Sequence, residues 1–126
     1  NVGTFFTQGA YVEVLCFLTG ERRGYDRQYA VFSRVIPRDP FFLVKSDPGC
    51  IFGKGAWEVG VRYSWIDLTN KGIHGGLVQS TTLGLNWYLN PNMKIQWNYD
   101  IATRAQTGNS ATGTLHALGV RMAMDF

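Results

Sequence analysis

The sequence lacks any long hydrophobic run. No stretch approaches the roughly eighteen consecutive apolar residues that a membrane-spanning helix needs. This excludes a membrane-spanning helix within these residues, but it leaves open a membrane β-barrel, whose strands need only about ten residues of alternating hydrophobicity. The chain also begins with Asn1 and lacks the charged start and apolar segment of a signal peptide, so we expect a mature or truncated product.

Charge is scarce as well. Charged residues make up 17% of the chain, and 12 Lys and Arg against 9 Asp and Glu leave a net charge of +3. No basic run is interleaved with stacking aromatics, so the sequence does not predict a nucleic-acid surface. Aromatics are plentiful at 14%, and the 15 glycines are roughly double the usual share, a mixture that favours β structure rich in turns.

Residues typical of catalytic and metal sites are few. The two cysteines, Cys16 and Cys50, fall in different predicted elements, and we expect two free thiols. His74 and His116 have no second ligand at metal spacing, so the sequence predicts no metal site and no cofactor. No nucleophile-elbow motif or glycine-framed serine is present, so we predict no catalytic residues and no enzyme.

Strict alternation of apolar and polar residues predicts β-strands. The clearest strand, 56–68, places Trp57 and Trp65 on one apolar face and Glu58 and Arg62 on the other. The six predicted strands are 5–21, 28–36, 56–68, 80–90, 93–103 and 114–126. The predicted connections are 37–55, 69–79, 90–92 and 104–113, of which 37–55 carries three prolines.

Strand length and the spacing of tryptophans favour lipid contact. Four of the predicted strands have eleven to thirteen residues, whereas strands of soluble domains average about five or six. Trp57 and Trp65 are about 26 Å apart along the strand at roughly 3.3 Å per residue. With a tilt of about 40° this fits the two aromatic girdles of a membrane barrel. The predicted lipid-facing girdle residues are Trp57, Trp65, Trp87 and Trp97. A soluble sandwich or jelly roll remains the alternative.

The polar faces of the same strands carry charges among small residues, as in a water-filled lumen. The lumen-facing candidates for anion contacts are Arg62, Lys94 and Arg121, together with Arg34 and Arg104, whose facing the pattern defines less well. Arg donates bidentate hydrogen bonds to phosphate oxygens, and a ring of cations raises the local concentration of anions. Carboxylates on the same wall weaken this field, so the charges could instead merely solvate the lumen and pair with one another.

The chain closes with "GVRMAMDF" at 119–126, an alternating strand that ends in an aromatic residue. Such an end resembles the signal that the outer-membrane assembly machinery recognises. Phe126 is therefore the predicted assembly signal, placed at the periplasmic rim.

Several longer sequence segments resemble a known protein family. "GAWEVGVRYSWIDLTNKGIHGG" at 55–76 and "TTLGLNWYLNPNMKIQWNYD" at 81–100 closely resemble the C-terminal part of the phosphate-selective porin O and P family. "FLTGERRGYDR" at 17–27 and "FSRVIPRDPF" at 32–41 are similar to its preceding hairpin. The resemblance implies a Gram-negative outer-membrane porin, usually trimeric, with a barrel of about sixteen strands. It also implies passage of anions and, in some members, a preference for phosphate or polyphosphate.

Taken together, residues 1–126 are predicted to be the C-terminal part of a single all-β, antiparallel transmembrane barrel domain, with no second domain. At about 21 residues per strand, a sixteen-stranded barrel needs roughly 340 residues, so we expect a longer protein. The predicted function is a channel for small anions, and the alternative is a structural or anchoring role in an envelope assembly. The expected partners are membrane lipid, small anions, further copies in a homotrimer or a larger envelope assembly, and the assembly machinery.

Overall fold

The computed structural model describes residues 6–46, 49–70, 73–105 and 112–125, and their regular structure consists of β-strands. Within these ranges no helix is long and apolar enough to cross a membrane. The strands are β1 (Gln8–Phe17), β2 (Tyr25–Asp26), β3 (Val31–Phe32), β4 (Phe42–Ser46), β5 (Gly49–Gly53), β6 (Ala56–Asn70), β7 (Ile73–Asn90), β8 (Met93–Ala105) and β9 (Gly113–Met124).

The long strands form one five-stranded sheet in the order β1-β6-β7-β8-β9. Strands β7 and β8 are joined by the two-residue turn Pro91 and Asn92, a connection that only antiparallel neighbours allow. Between β1 and β6 the chain makes two small sheets, β2-β3 and β4-β5. The fold is therefore a meander of long strands in which the connection between β1 and β6 is long and carries two small sheets.

The chain forms two compact units, and each long strand contributes to both. The first unit comprises Asn1–Val14, Gly60–Leu83 and Asn98–Gly119, and the second comprises Leu15–Val59, Gly84–Trp97 and Val120–Phe126.

The predicted strand 28–36 is wrong. Within that range only the two-residue strand β3 forms, and its Phe32 pairs with Tyr25 of β2. The carboxylate of Asp26 accepts hydrogen bonds from the backbone N–H groups of Gln28 and Tyr29, which closes a tight turn. Ala30 then adopts a positive φ of 52°. This turn breaks the extended backbone that the alternation had predicted.

The predicted connecting loop 37–55 is also wrong, because it contains the antiparallel hairpin β4-β5, paired from Phe42 opposite Gly53 to Ser46 opposite Gly49. Pro37 and Pro40 precede the first strand, and Pro48 falls between the two. The prolines therefore do not interrupt either ladder of hydrogen bonds.

The predicted loop 69–79 is wrong for a similar reason, since β6 extends to Asn70 and β7 begins at Ile73. Residues 73–76 of the "GIHGG" motif lie inside β7. A Cβ atom added at Gly75 would lie 2.4 Å from the carbonyl oxygen of Leu68, so glycine permits a close approach of neighbouring backbones. The predicted strands 56–68, 80–90 and 93–103 are confirmed, each with an extension.

The remaining predicted strands differ mainly at their ends. The first strand, predicted for 5–21, covers Gln8–Phe17, and the last, predicted for 114–126, covers Gly113–Met124. In the predicted loop 104–113, β8 ends at Ala105 and β9 begins at Gly113, while 106–111 are outside the described residues.

Little of the described apolar surface is buried. In the second unit Val35, Ala56 and Tyr88 form a small buried cluster, against which Phe17 packs. By contrast, the alternating residues of β9 stay exposed, with Val120 at 64% and Met122 at 51%. The described residues thus leave the apolar face of β9 without a covering layer.

Candidate functional site

A buried carboxylate marks the centre of the polar face in the second unit. Glu58 on β6 is 1% exposed. Arg23 Nη2 donates to both of its oxygens at 3.0 and 3.1 Å, Asn86 Nδ2 donates at 2.8 Å, and the Tyr88 hydroxyl donates at 2.9 Å. Burial of a charge is costly unless it is paired and hydrogen-bonded, and these three neighbours supply both.

Arg23 reaches Glu58 from the connection that follows β1. We call residues 19–38 the covering segment. Val35 of this segment is 5% exposed and packs with Ala56 and Tyr88. Arg23 also donates to the Tyr88 hydroxyl at 3.0 Å. The covering segment therefore lies on the polar face of the sheet, and one ion pair and one apolar side chain hold it there.

A second ion pair attaches the covering segment near the β7-β8 turn. Arg34 Nη1 donates to Asn92 Oδ1 at 2.6 Å, and Arg34 Nη2 lies 2.6 Å from Asp125 Oδ2. Both charged side chains are more than half exposed, so we expect this pair to contribute about 0–1 kcal/mol. Arg34, predicted as an anion contact, is engaged by a carboxylate.

Lys94 lies beside a cavity of about 300 Å³ under the covering segment. Its ammonium group is 5.9 Å from the centre of the Tyr88 ring. The charged residues that line the cavity are Arg23, Arg34, Lys94 and Asp125. Three cations and one carboxylate make this cavity electropositive, although Glu58 binds one of the cations.

A row of hydrogen bonds crosses four strands of the polar face. Arg121 Nε donates to Gln96 Oε1 at 3.1 Å, Gln96 Nε2 donates to Asn86 Oδ1 at 2.9 Å, and Asn86 continues to Glu58. The row from β9 to β6 places Arg121 on the same face as Glu58, as the alternation predicts. Its partner is a neutral amide.

In the first unit, Arg62 and Arg104 have different partners. Arg62 Nη2 lies 2.6 Å from Glu13 Oε2, and its guanidinium carbon lies 5.2 Å from the centre of the Tyr11 ring. Arg104 donates from Nε and Nη2 to the carbonyl oxygen of Gly75 at 3.2 and 3.0 Å. A carboxylate thus opposes Arg62, whereas Arg104 satisfies a backbone acceptor.

The predicted girdle tryptophans lie on the opposite face. In the second unit Trp57 stacks on Trp87, with ring centres 4.9 Å apart, and it lies parallel to Trp97 at 6.4 Å. Three of the four predicted residues therefore form one tryptophan row. Trp65 belongs to the first unit, where it is half-buried.

Sequence reasoning missed Arg23 and the covering segment. Glu58 lies between Trp57 and Val59 in a strand, and a carboxylate buried at such a position needs a cation. That cation, Arg23, lies 35 residues upstream, so the local sequence does not reveal the pair. The thiol of Cys16, within β1, is free, as expected, and it is exposed.

His116, for which the sequence predicts no metal site, is hydrogen-bonded through Nδ1 to the Tyr99 hydroxyl at 2.9 Å. The side chains of Cys50 and His74 lie outside the described residues, as does Phe126, the predicted assembly signal.

Two curated relatives match the chain. An uncharacterized protein of Caulobacter vibrioides is 33% identical over 98% of this chain and 23% of its own length. Porin O of Pseudomonas aeruginosa is 30% identical over 73% of this chain and 20% of its own length. The chain thus spans less than a quarter of the relatives that it matches. No solved structure matches it.

The model of one protein family, Phosphate-selective porin O and P, matches residues 3–126, which is nearly the whole chain. The long alternating strands, with a polar row on one face and a tryptophan row on the other, agree with this match. The chain therefore belongs to the phosphate-selective porin O and P family, whose members are outer-membrane porins of Gram-negative bacteria.

Proposed function

We propose that this chain is the C-terminal part of a closed transmembrane β-barrel that forms a water-filled channel for small anions. The observation that carries the proposal is the polar row from Glu58 to Arg121 directly behind the tryptophan row. One face suits water and the other suits lipid, an arrangement typical of a channel wall.

The barrel needs strands from outside this chain. A single-chain barrel has at least about eight strands, and the five-stranded sheet described here supplies part of the wall. We propose about sixteen strands in the complete protein, as in the family, with lipid around the barrel. By the same resemblance, we propose a homotrimer.

Among the lumen-facing cations, those for which the described residues supply no carboxylate partner attract anions. Arg23, Arg34 and Arg62 are each bridged to a carboxylate, which weakens their field in the lumen. Lys94, Arg104 and Arg121 instead contact a ring, a carbonyl and an amide. We therefore propose that these three cations carry the anion preference, with phosphate as a candidate solute because Arg suits its oxygens.

Conductance of the full-length protein in planar bilayers tests this function. We expect the reversal potential in a salt gradient to indicate anion preference, and the double variant Lys94→Gln with Arg121→Gln to reduce it. The matched control is Arg62→Gln with Glu13→Gln, which removes two charges of opposite sign and should leave selectivity unchanged. Inhibition of chloride current by inorganic phosphate would support a phosphate preference.

Two outcomes would contradict the proposed function, the first its anion preference and the second the channel itself. A strongly cation-selective current would overturn the anion preference. No current from a correctly assembled barrel would overturn the channel itself and favour a structural or anchoring role. The covering segment is the observation that favours this second function, because it occupies part of the polar face.

A further inference from the structure

The hairpin β4-β5 carries an exposed group of phenylalanines. We call residues 41–54 the aromatic hairpin. Phe42 and Phe52 are 55% and 67% exposed, and their rings meet edge to face with centres 5.4 Å apart. Phe41 lies 6.3 and 6.4 Å from these two rings. Three large apolar rings thus form one surface patch in the second unit.

This patch continues the tryptophan row. The ring of Phe41 meets Trp87 edge to face at 4.7 Å, and Trp87 stacks on Trp57. The phenylalanines and the tryptophan row therefore form one aromatic surface. It lies on the face of the sheet opposite to Glu58.

Backbone groups attach the hairpin to the sheet at defined points. The carbonyl oxygen of Lys54 accepts hydrogen bonds from the indole N–H groups of Trp57 and Trp87 at 3.2 and 2.8 Å. Phe41 N donates to the carbonyl oxygen of Leu89 at 2.6 Å. With two indole donors satisfied within the protein, these tryptophans can contact an apolar medium at little polar cost.

A strained residue presents one of the exposed rings. Phe42 has a φ of 79°, in the left-handed region that a bulky residue rarely adopts. Such strain persists where the surrounding structure holds it, and it often marks functional sites. Burial in a core does not explain it here, because the ring is 55% exposed.

We propose that the aromatic hairpin is a lipid anchor, whose Phe42 and Phe52 rings enter the headgroup and acyl boundary of the periplasmic leaflet. Aromatic side chains concentrate at this depth of the bilayer. The hairpin lies at the end of the sheet that carries the turn at Pro91 and Asn92, where Asp125 N donates to the carbonyl oxygen of Asn92 at 2.9 Å. This is also the end at which β9 finishes, which the sequence places at the periplasmic rim. Exposed Lys54 beside the rings suits anionic phospholipid headgroups.

This inference rests on the outer-membrane location and on lipid contact by the tryptophan row, and it is independent of ion conductance. It assigns phospholipid as the occupant because the phenylalanines extend a surface that already faces lipid in the proposed barrel. A second copy of the chain is the competing occupant.

Spin labels can test the depth of the hairpin in the full-length protein. In a background of Cys16→Ser and Cys50→Ser, a single Phe52→Cys is labelled and reconstituted in vesicles of phosphatidylethanolamine and phosphatidylglycerol. We expect collisions with oxygen, which dissolves in lipid, to exceed those with a water-soluble nickel chelate. The matched control is Gln28→Cys on the exposed turn of the covering segment, where the chelate should dominate.

Assembly of each variant is verified by its heat-modifiable migration on gels. Chelate access at position 52 equal to that at position 28 would overturn the lipid anchor. Shielding from both reagents, with dipolar broadening between labels, would also overturn it and would assign the patch to contact between copies. Loss of conductance with lipid access retained would count against the proposed channel and leave the anchor standing.

Discussion

At the scale of single residues, Glu58 depends most strongly on its hydrogen-bond and charge partners. Its carboxylate is almost completely buried, whereas the side chain of Arg23 is 32% exposed. Removing Arg23 and removing Glu58 therefore leave unpaired charges in different surroundings. Without Arg23 the carboxylate of Glu58 stays buried and has lost its cation, whereas without Glu58 the guanidinium of Arg23 can turn toward water.

This asymmetry predicts an order of stability. Arg23→Gln should lower the free energy of unfolding by about 2–4 kcal/mol, and Glu58→Gln by less, because glutamine keeps polar contacts with Asn86 and Tyr88. Urea unfolding of the full-length protein in vesicles measures both. The double variant should recover part of the loss, because no unpaired charge remains. An equal cost for the two single variants would contradict burial as the cause.

At the scale of elements, the covering segment shows how a connection becomes structured. Thr19 accepts a hydrogen bond from the backbone N–H of Trp57 at 3.0 Å, and Arg38 Nη2 donates to the carbonyl oxygen of Gly20 at 3.3 Å. The carboxylate of Glu21 accepts hydrogen bonds from the hydroxyl group of Thr19 and from the backbone N–H of Arg38. The two ends of the segment are thus joined through Glu21.

These contacts predict a pH dependence of the covering segment. Burial acts to raise the pKa of Glu21, but the hydrogen bonds from Thr19 and the backbone, with the charge of Arg38, outweigh it and lower the pKa below 4.5. A lowered folded pKa means that the stabilisation is present above pH 4.5 and is lost as the pH falls through the folded value. The protection factors for hydrogen exchange in residues 19–38, which correct for the fall of the intrinsic exchange rate with pH, should therefore decrease at low pH.

Comparison with Glu21→Gln separates this effect from general acid unfolding. The variant should exchange faster than the original protein at neutral pH and show a smaller change on acidification. If both proteins responded to pH alike, Glu21 would not be the group responsible.

At the scale of the whole molecule, the long strands were predictable and the connection between β1 and β6 was not. Alternation from Trp57 to Trp65 and the turn at Pro91 depend on neighbours in sequence, so periodicity reveals them. The role of Arg23 depends on partners 35 and 65 residues away, which no local pattern encodes. The loop predicted for 69–79 is wrong because the sequence does not distinguish a strand glycine that permits close backbone contact, such as Gly75, from a glycine in a turn.

The two faces of the sheet predict opposite tolerance to charge. Val61→Arg should lower the free energy of unfolding by about 2–4 kcal/mol if this residue faces lipid near the midplane, whereas Gly60→Arg on the opposite face should cost less in a wide lumen. Unfolding of full-length protein in bilayers measures the difference. Equal damage from the two changes would contradict a wall between lipid and water and would favour a soluble core.

The attachments of the covering segment also constrain the order of folding. Arg23 needs Tyr88, and Arg34 needs Asn92 and Asp125, which follow it by 58 and 91 residues. Contacts between distant parts of a chain form late, because the intervening loop must close first. The main contacts of the segment need β6 and β7, which carry Glu58 and Tyr88, and the weaker pair of Arg34 with Asp125 also needs the end of β9. The polar face is therefore uncovered while these strands assemble, and the covering segment docks on it last.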